Sequence, residues 1–377
     1  MDFNFTEEQT LLRDSLVKLL GAEYDFDKRR AWAEGEGWSR SNWNRFAELG
    51  LLAAPLPEAH GGLGGGPVDV MVAMEEFGAA LVLEPFVPTV VLGAGLLARA
   101  GTDSQQAEHL PPIASGERLF AAGFYEPKGR YNLAHVAATA KQDGAGYVLN
   151  GHKAVVYGAP MADWLIVSAR TAGAPTEPRG VSLFLVPKSA GGVSTRDYPT
   201  NDGMRASEVH LENVRLGSEH QLGPPEEALP LITEAVDHAI AAVCAEAVGA
   251  MRALHGATVE YARGRKQFGQ PIASFQVLQH RMVDMYMAYE QSVSMAYMAT
   301  LKLASPERSK ACAAAKVQIG RAGRFLGQSA VQIHGGMGVT TEMKAAHLFK
   351  RLTMIDAQFG DVDHHLRRFM QPQGAAR

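Results

Sequence analysis

The chain has 377 residues, of which 46% are hydrophobic and 20% are charged, a composition typical of a globular protein with a large core and two or three domains. Its net charge of −4 offers no positive field for nucleic acid or an anionic membrane, so neither is an expected partner. The two cysteines, Cys244 and Cys312, lie in apolar segments and predict buried, reduced thiols.

The start of the chain is acidic and leads directly into a helical pattern. It contains no basic segment followed by an apolar one, and no Arg-rich transit pattern. No apolar run reaches the roughly 18 residues that span a bilayer. We therefore expect a cytoplasmic protein, or one from an organelle whose targeting segment has been removed.

Residues 1–117 predict an N-terminal helical domain. Thr6 and Gln9 have the spacing of a capping box, and leucines at helical spacing follow them. Further amphipathic stretches cover residues 43–52, 68–81 and 88–100. The glycine-rich run 60–66 follows no strand and precedes no Lys-Ser or Lys-Thr pair, so it predicts a structural turn rather than a phosphate-binding loop.

Residues 118–224 predict a middle β domain. Apolar residues alternate with polar ones here, and Gly, Pro and Asn clusters separate the alternating runs. The run Tyr147-Val148-Leu149-Asn150-Gly151 predicts a strand that ends in a turn. Six to eight short strands with hairpin-length connections indicate one small, barrel-like sheet.

Residues 225–377 predict a C-terminal four-helix bundle, with helices over 226–263, 273–304, 306–334 and 342–371. Apolar and small residues lie on several faces of the first and third helices: Ala241, Ala242, Val243, Ala245, Ala247 and Val248, and Ala311, Ala313, Ala314 and Ala315. A helix that is apolar around most of its circumference must be covered on several sides, so we expect a second protomer to cover these helices. The predicted fold class is α+β multidomain.

Two short runs in this last segment carry the functional argument. The first is Arg265-Lys266-Gln267-Phe268-Gly269, leading to Phe275-Gln276, and the second is Gln332-Ile333-His334-Gly335-Gly336-Met337-Gly338. An arginine at a helix end offers a planar fork of donors suited to a diphosphate, although a basic residue there also caps helix carbonyls. The glycine run follows a helical pattern rather than a strand, so it is not a dinucleotide fingerprint.

Together with the α, β, α order, these runs resemble the acyl-CoA dehydrogenases, flavoenzymes that remove hydrogen from the α and β carbons of acyl-CoA thioesters. The resemblance implies the acyl-CoA dehydrogenase fold, an FAD cofactor, an acyl-CoA substrate and an electron-transfer flavoprotein as partner. It also implies that several residues bind the FAD of a neighbouring subunit: Arg265 at the pyrophosphate, Phe268 beside the cofactor, Gln276 at the adenosine half, and Gln332, Gly335 and Gly336 nearby.

The position of the catalytic base departs from the family pattern. In the family, a glutamate just before a glycine abstracts the α-proton, and the matching place here is Phe359, before Gly360. Some members place the base near the start of the first bundle helix, where this chain has Ala239. A phenyl ring and a methyl group cannot accept a proton, so no catalytic residue is assigned to this chain. Nearby candidates for a replacement are Asp237, His238 and Glu246.

The residues that a family member uses on its own flavin also differ. The run 125–132 replaces a Thr-Glu-Pro segment that leads to Gly-Ser-Asp, and Tyr157 stands where a small hydroxyl would bond the flavin. Asp361 and Asp363 replace polar side chains that face the cofactor phosphates. Carboxylates repel a diphosphate unless they are paired with cations.

No metal or hydrolase motif is present: the sequence lacks His-Glu-x-x-His, Cys-x-x-Cys and Gly-x-Ser-x-Gly. His364 and His365 invite a metal hypothesis. Adjacent helix residues point about 100° apart, however, so solvated or interface histidines are the favoured interpretation.

Within the family, stretches 245–249, 352–356 and 359–361 resemble the small-subunit group of pimeloyl-CoA dehydrogenases. Related bacterial enzymes acting on steroid side chains pair two different subunits, one of which lacks the base. We therefore expect this chain to be the subunit without the base in a heterotetramer with a larger acyl-CoA dehydrogenase subunit. Two alternatives stand beside this: a self-sufficient homo-oligomer with an unconventional base, such as Glu246 or Asp361, and a flavin-free scaffold subunit.

Overall fold

The computed structural model describes residues 5–371. The helices are α1 (Glu7–Glu23), α2 (Phe26–Glu34), α3 (Arg40–Glu48), α4 (Pro67–Ala80), α5 (Gly95–Ala100), α6 (Asp103–Ala114), α7 (Ala228–Gly264), α8 (Gln276–Leu301), α9 (Arg308–His334), α10 (Lys344–Ala357) and α11 (Val362–Met370), with a π-helix over Val87–Ala94. The strands are β1 (Phe120–Gly123), β2 (Thr139–Asp143), β3 (Gly146–Tyr157), β4 (Trp164–Arg170), β5 (Val181–Pro187), β6 (Val193–Pro199), β7 (Arg205–Gly217), β8 (Gln221–Leu222), β9 (Lys266–Gln267) and β10 (Gln270–Pro271).

The described residues divide into two compact units. The helical unit comprises residues up to 34, 67–82 and 240–371, and the sheet-containing unit comprises 35–66 and 83–239. Helix α7 begins in the second unit and continues in the first. The expected fold class is confirmed, whereas the three boundaries expected from sequence, 1–117, 118–224 and 225–377, stay predictions.

The sheet-containing unit is built on an eight-stranded mixed sheet in the order β6-β7-β3-β2-β4-β5-β8, with β1 parallel to β4. Leu149, Leu165, Phe184 and Val209 belong to its buried core. The prediction that a strand ends in a turn near Gly151 is wrong, because β3 continues to Tyr157. It stays paired with β7 through two register shifts, which absorb the turn-forming residues as irregularities within the strand.

In the helical unit, the capping box predicted at Thr6 is confirmed. The Thr6 hydroxyl accepts a hydrogen bond from the Gln9 amide at 3.2 Å, and the Gln9 side chain accepts one from the Thr6 amide at 3.1 Å. These contacts satisfy two of the donors that a helix leaves open at its start, which is why α1 begins at Glu7.

Helix α7 is covered by its own chain. A Cβ at Gly78 of α4 would lie 1.8 Å from the Glu246 carbonyl oxygen, and one at Gly249 would lie 1.7 Å from the Glu75 carbonyl oxygen. The two helices therefore pack backbone to backbone. The alanines and valines of α7 named above are all buried, as are Ala311, Ala313 and Ala315 of α9. The prediction that a second protomer is needed to cover these faces is therefore wrong.

Helix α7 is also long and apolar enough to cross a membrane, contrary to the expectation from sequence. Its most apolar stretch is 67% buried inside the chain, as in the core helix of a soluble protein. Length and hydropathy here are thus weak evidence for a membrane span.

The prediction of a single fourth bundle helix over 342–371 is wrong, because the structure has two helices there. The chain leaves α10 after Ala357 and enters α11 at Val362. Between them Phe359 has φ 61° and Gly360 has φ 117°. A Cβ at Gly360 would lie 2.6 Å from the His364 ring, so only glycine fits there. The break places Phe359 at a sharp corner between the two helices.

Candidate functional site

The six residues predicted to contact a neighbour's FAD are here called the arm: Arg265, Phe268, Gln276, Gln332, Gly335 and Gly336. All six are exposed and all belong to the helical unit. Arg265 follows the end of α7, and Phe268 lies at the tip of the β9–β10 hairpin with φ 52° and 91% of its surface exposed. A phenyl ring held out in the left-handed region is available to another molecule rather than to this chain's core.

The two limbs of the arm are connected through Tyr261. The Arg265 amide donates to the Tyr261 carbonyl at 2.8 Å, and the Tyr261 hydroxyl donates to the His334 carbonyl at 3.2 Å. Phe268 meets Phe275, the residue before Gln276, with ring centroids 6.1 Å apart. The structure therefore brings the hairpin, the start of α8 and the end of α9 to one end of the helical unit. The roles of the arm residues toward a cofactor stay a prediction.

The glycines of the arm are open to the outside. A Cβ built on Gly335 or Gly336 would meet no atom within 4 Å. These glycines are thus not required by packing within the chain, in contrast to Gly360. An exposed guanidinium, two exposed amides and an unobstructed backbone form a set of donors suited to an anionic, extended ligand.

The position expected to hold the base is closed by the chain itself. Phe359 is 9% exposed, and its carbonyl oxygen lies 3.1 Å from Nε2 of the buried His365. A carbonyl only accepts, so this nitrogen carries the hydrogen. The Lys316 ammonium donates to the carbonyl oxygens of Ile355 at 2.5 Å, Asp356 at 3.0 Å and Gly360 at 2.9 Å. Phe359, Gly360, Lys316 and His365 are called the base corner below.

Burial governs the charges of the base corner. Removal from water lowers the pKa of Lys316 to about 8, partly opposed by Cys244 and the nearby carboxylates. Burial, with a further contribution from Lys316, lowers the pKa of His365 to about 2. His365 is therefore neutral at physiological pH, and its Nε2 is engaged by the chain. The corner contains no carboxylate in the place of the family's glutamate.

The replacement bases considered in the helical unit have structural roles. Arg351 Nε donates to Glu246 Oε1 at 2.5 Å and its terminal nitrogen donates to Oε2 at 2.7 Å, and both side chains are buried. Asp361 caps α11 by accepting from the His364 amide at 2.8 Å. The guanidinium engages both carboxylate oxygens of Glu246, and the Asp361 carboxylate is engaged at the start of α11.

The second family position for a base lies in the sheet-containing unit. Ala239 is fully buried and carries no titratable group, and Asp237 beside it is buried as well. The ring of His238 is 2.9 Å from a terminal nitrogen of Arg99, whose guanidinium also pairs with Glu234 at 3.3 Å. The His238 ring is thus engaged with the side chain of Arg99.

The positions expected to serve this chain's own flavin differ in chemistry from the family pattern. Glu126 accepts hydrogen bonds from the Ala137 and Ala138 amides at 2.7 and 3.0 Å and from the buried Lys153 ammonium at 2.7 Å. Burial lowers the pKa of Lys153 to about 8, and Glu126 opposes that shift. Glu126 therefore organises the segment around β3, while Tyr157, at the end of β3, presents a half-buried phenol.

Asp361 and Asp363 line an open cavity of about 380 Å³ in the helical unit. Its walls are Arg321, Arg324, Phe325, Gln328, Asp356, Asp361, Val362 and Asp363. Arg324 is paired with Asp356 at 3.1 Å. The three carboxylates outnumber the two guanidiniums, so the cavity does not favour a diphosphate.

Tyr261, His334, Lys316 and Arg351 were not identified from the sequence. Tyr261 lies one helical turn before Arg265, which was a usable signal, whereas Lys316 lies in an alanine-rich helix with no motif around it. In the part of the chain that the structure describes, no group of three potential metal ligands occurs.

The chain combines an α, β, α order of elements with an exposed, basic arm at one end of its helical unit. Family models match almost the whole chain: the acyl-CoA dehydrogenase N-terminal domain over residues 6–117, the middle domain over 121–214 and the C-terminal domain over 229–369. The chain belongs to the acyl-CoA dehydrogenase family, whose members are FAD-dependent oxidoreductases acting on acyl-CoA.

Three known proteins illustrate the similarity. Probable acyl-CoA dehydrogenase YngJ from Bacillus subtilis is 31% identical over 362 residues, covering 94% of this chain and 95% of that protein. The steroid ACAD Tcur3481-Tcur3483 is 30% identical, with a TM-score of 0.86 and 96% of each chain covered. A chain of the ChsE4-ChsE5 complex from Mycobacterium tuberculosis is 25% identical, with a TM-score of 0.90, covering 99% of this chain and all of that one.

The arm fits the family's FAD cofactor, since Arg265 offers parallel donors to a diphosphate and the backbone at Gly335 and Gly336 is open to close approach. The residues at this chain's own flavin position fit it poorly. The resemblance implies phosphates near Asp361 and Asp363, whose charge would repel them, and a small hydroxyl in place of Tyr157. The chemistry of the arm therefore suits the cofactor, and the residues that contact FAD stay a prediction.

Proposed function

We propose that this chain is the subunit without the catalytic base in a hetero-oligomeric acyl-CoA dehydrogenase. It would lend its arm to an FAD held by a larger homologous subunit that carries the glutamate and the acyl pocket. The observation that carries the proposal is the set of residues at the base corner. Phe359 stands where the family has its glutamate, and Lys316 and His365 already occupy the polar groups around it.

In this arrangement the chain binds and orients, but it moves no proton. Arg265 would pair with the diphosphate, the amides of Gln276 and Gln332 would hydrogen-bond the cofactor, and Gly335 and Gly336 would allow its close approach. When bound, FAD supplies the acceptor for the hydride that leaves the β-carbon of the acyl-CoA. The α-proton would go to the larger subunit's carboxylate, and the electrons would pass on to an electron-transfer flavoprotein.

Two relatives support a paired assembly. One of the structures is described as a complex of ChsE4 with ChsE5, and another carries the paired designation Tcur3481-Tcur3483. The stretches resembling pimeloyl-CoA dehydrogenase small subunits suggest a heterotetramer with two copies of each subunit, acting in lipid or dicarboxylic acid degradation. The exposed arm supplies a surface through which such a pairing could complete a cofactor site.

The test is purification of the affinity-tagged chain from its native cell, beside the same chain produced alone. We expect the native preparation to contain a larger acyl-CoA dehydrogenase homologue, to be yellow, and to hold one FAD per pair of different subunits. It should bleach on addition of its acyl-CoA, whereas the chain produced alone should neither bleach nor turn over any acyl-CoA.

The alternatives correspond to different results of the same experiment. A yellow preparation of the chain alone that acyl-CoA bleaches would establish the self-sufficient homo-oligomer. A complex that contains a larger homologue but no flavin at the shared interface would establish the scaffold subunit. Either result would overturn the proposal.

A further inference from the structure

Tyr261 lies between the two limbs of the arm and contacts both. Its backbone carbonyl accepts from the Arg265 amide at 2.8 Å. Its hydroxyl donates to the carbonyl of His334, the residue before Gly335, at 3.2 Å. Its ring stacks on the His334 imidazole with centroids 4.3 Å apart and an interplanar angle of 26°. One side chain therefore joins the end of α7 to the end of α9.

We infer that Tyr261 and His334 are positioning residues of the FAD half-site, which set the distance between Arg265 and the Gly335–Gly336 backbone. This inference rests on the proposed role of the arm. Neither residue is exposed like the arm itself: Tyr261 is half-buried, and His334 is 3% exposed. They act through Arg265 and the glycine turn, not by touching the cofactor.

The connection matters because the limbs are distant along the chain. Tyr261 and His334 are 73 positions apart, so the geometry between Arg265 and Gly335 is set by contacts rather than by chain connectivity. A diphosphate site needs its donors held in place before the ligand arrives, since ordering them on binding weakens affinity. The hydroxyl and the stacked ring together restrain both the separation and the rotation of the two helix ends.

The His334 ring is also held by its own helix. Its Nδ1 lies 2.8 Å from the Ala330 carbonyl oxygen and therefore carries the hydrogen. A Cβ at Gly338 would lie 2.9 Å from the His334 Cβ, so the glycine turn packs against the base of the His334 side chain. The His334 ring is thus fixed by its own helix, by the turn and by Tyr261. This arrangement transmits the position of α7 to the backbone at Gly335.

The experiment measures FAD binding by quenching of flavin fluorescence, using the flavin-depleted assembly that the chain forms in its native cell. Tyr261→Phe removes the hydroxyl and keeps the ring, and we expect the Kd for FAD to rise about twofold to tenfold. Tyr261→Leu removes the stacking as well and should weaken FAD further. Tyr297→Phe is the matched control, because Tyr297 is also half-buried in the helical unit and contacts Glu75 rather than the arm.

A double-mutant cycle separates positioning from general stability. If Tyr261 acts through Arg265, the effect of Tyr261→Phe on the Kd for FAD should shrink in an Arg265→Ala background. Equal effects in both backgrounds, or a Kd like that of the Tyr297→Phe control, would overturn the inference even if the arm binds FAD. If Arg265→Ala itself leaves the Kd unchanged, the proposed role of the arm fails instead. If the Tyr261→Leu variant does not assemble, the Tyr261→Phe variant and the double-mutant cycle with Arg265→Ala still test the inference.

Discussion

The arm and the base corner belong to the same helical unit, yet their polar groups are used in opposite ways. At the arm, Arg265, Gln276 and Gln332 expose their side chains, and the backbone at Gly335 and Gly336 is open. At the base corner, the Lys316 ammonium and the His365 ring are buried and bonded to carbonyls of the same chain. The arm keeps its hydrogen-bond donors exposed, whereas the donors of the base corner are bonded to carbonyl oxygens of the same chain.

The comparison separates donors that are open to another molecule from donors that the fold already uses. Exposed donors stabilise the free chain little, so their retention points to a ligand or partner. Buried donors bonded within the chain stabilise the fold and need no ligand to account for them. Phe359 completes the closed side, since it is 9% exposed and its phenyl ring adds apolar burial.

The largest expected effect tests whether Glu246 belongs to the closed, structural side. Glu246→Gln leaves the buried Arg351 without its bidentate carboxylate, and we expect the free energy of unfolding to fall by about 3–5 kcal/mol. Denaturant titration of the variant measures this. Glu260→Gln, an exposed position on the same helix, should stay within about 0.5 kcal/mol of wild type. A stable Glu246→Gln variant would reopen Glu246 as a functional carboxylate.

Arg265→Ala tests the open side. Loss of a charge-assisted contact should weaken FAD binding by about 1.5–3 kcal/mol, roughly tenfold to a hundredfold, in the assembled protein. Because Arg265 is exposed, the melting temperature of the flavin-free assembly should not change. Lys266→Ala, the adjacent exposed cation, is the control and should affect FAD much less. Equal losses for the two variants would show a diffuse charge effect instead of a specific contact.

Two glycine substitutions compare the arm with the helix packing beside the base corner. A Cβ at Gly320 would lie 2.2 Å from Asp356 Oδ1 and 2.6 Å from Val362, so Gly320→Ala should destabilise the fold by about 1–3 kcal/mol. Gly336→Ala meets open space and should leave stability within about 0.5 kcal/mol, while it weakens FAD binding in the assembly. Thermal unfolding and FAD titration of both variants measure the contrast. If Gly336→Ala leaves the Kd for FAD unchanged, the interpretation that the cofactor closely approaches the backbone at Gly336 is contradicted.

The smallest expected effect is a pH dependence from Lys316. Its pKa is about 8 when folded and near 10.5 when unfolded, so above about pH 8 the unfolded chain binds more protons. Stability must therefore rise with pH in this window. We expect wild type to gain about 1 kcal/mol relative to Lys316→Met between about pH 8 and about pH 9. If the free energy of unfolding changes equally with pH in wild type and in Lys316→Met, the ammonium is not buried as described.

Sequence patterns alone were sufficient for the fold class and the family. These follow from local patterns: helical and alternating periodicity, the Thr6–Gln9 capping box, and two runs whose residue types and order are specific. The phenylalanine at position 359, where the resemblance implies a glutamate, was also visible in the sequence.

How these residues are used depends on contacts between distant parts of the chain, which the sequence does not show. The tertiary structure showed α7 covered by α4 through Gly78 and Gly249, so that apolar periodicity overstated the need for a second protomer. It split the last helix at Phe359, and it engaged Glu246 with Arg351, an interaction spanning 105 positions. It also placed Tyr261 against His334. Such pairings depend on which side chains meet across helices, and helical periodicity specifies the face of a helix but not the neighbour that the face will contact.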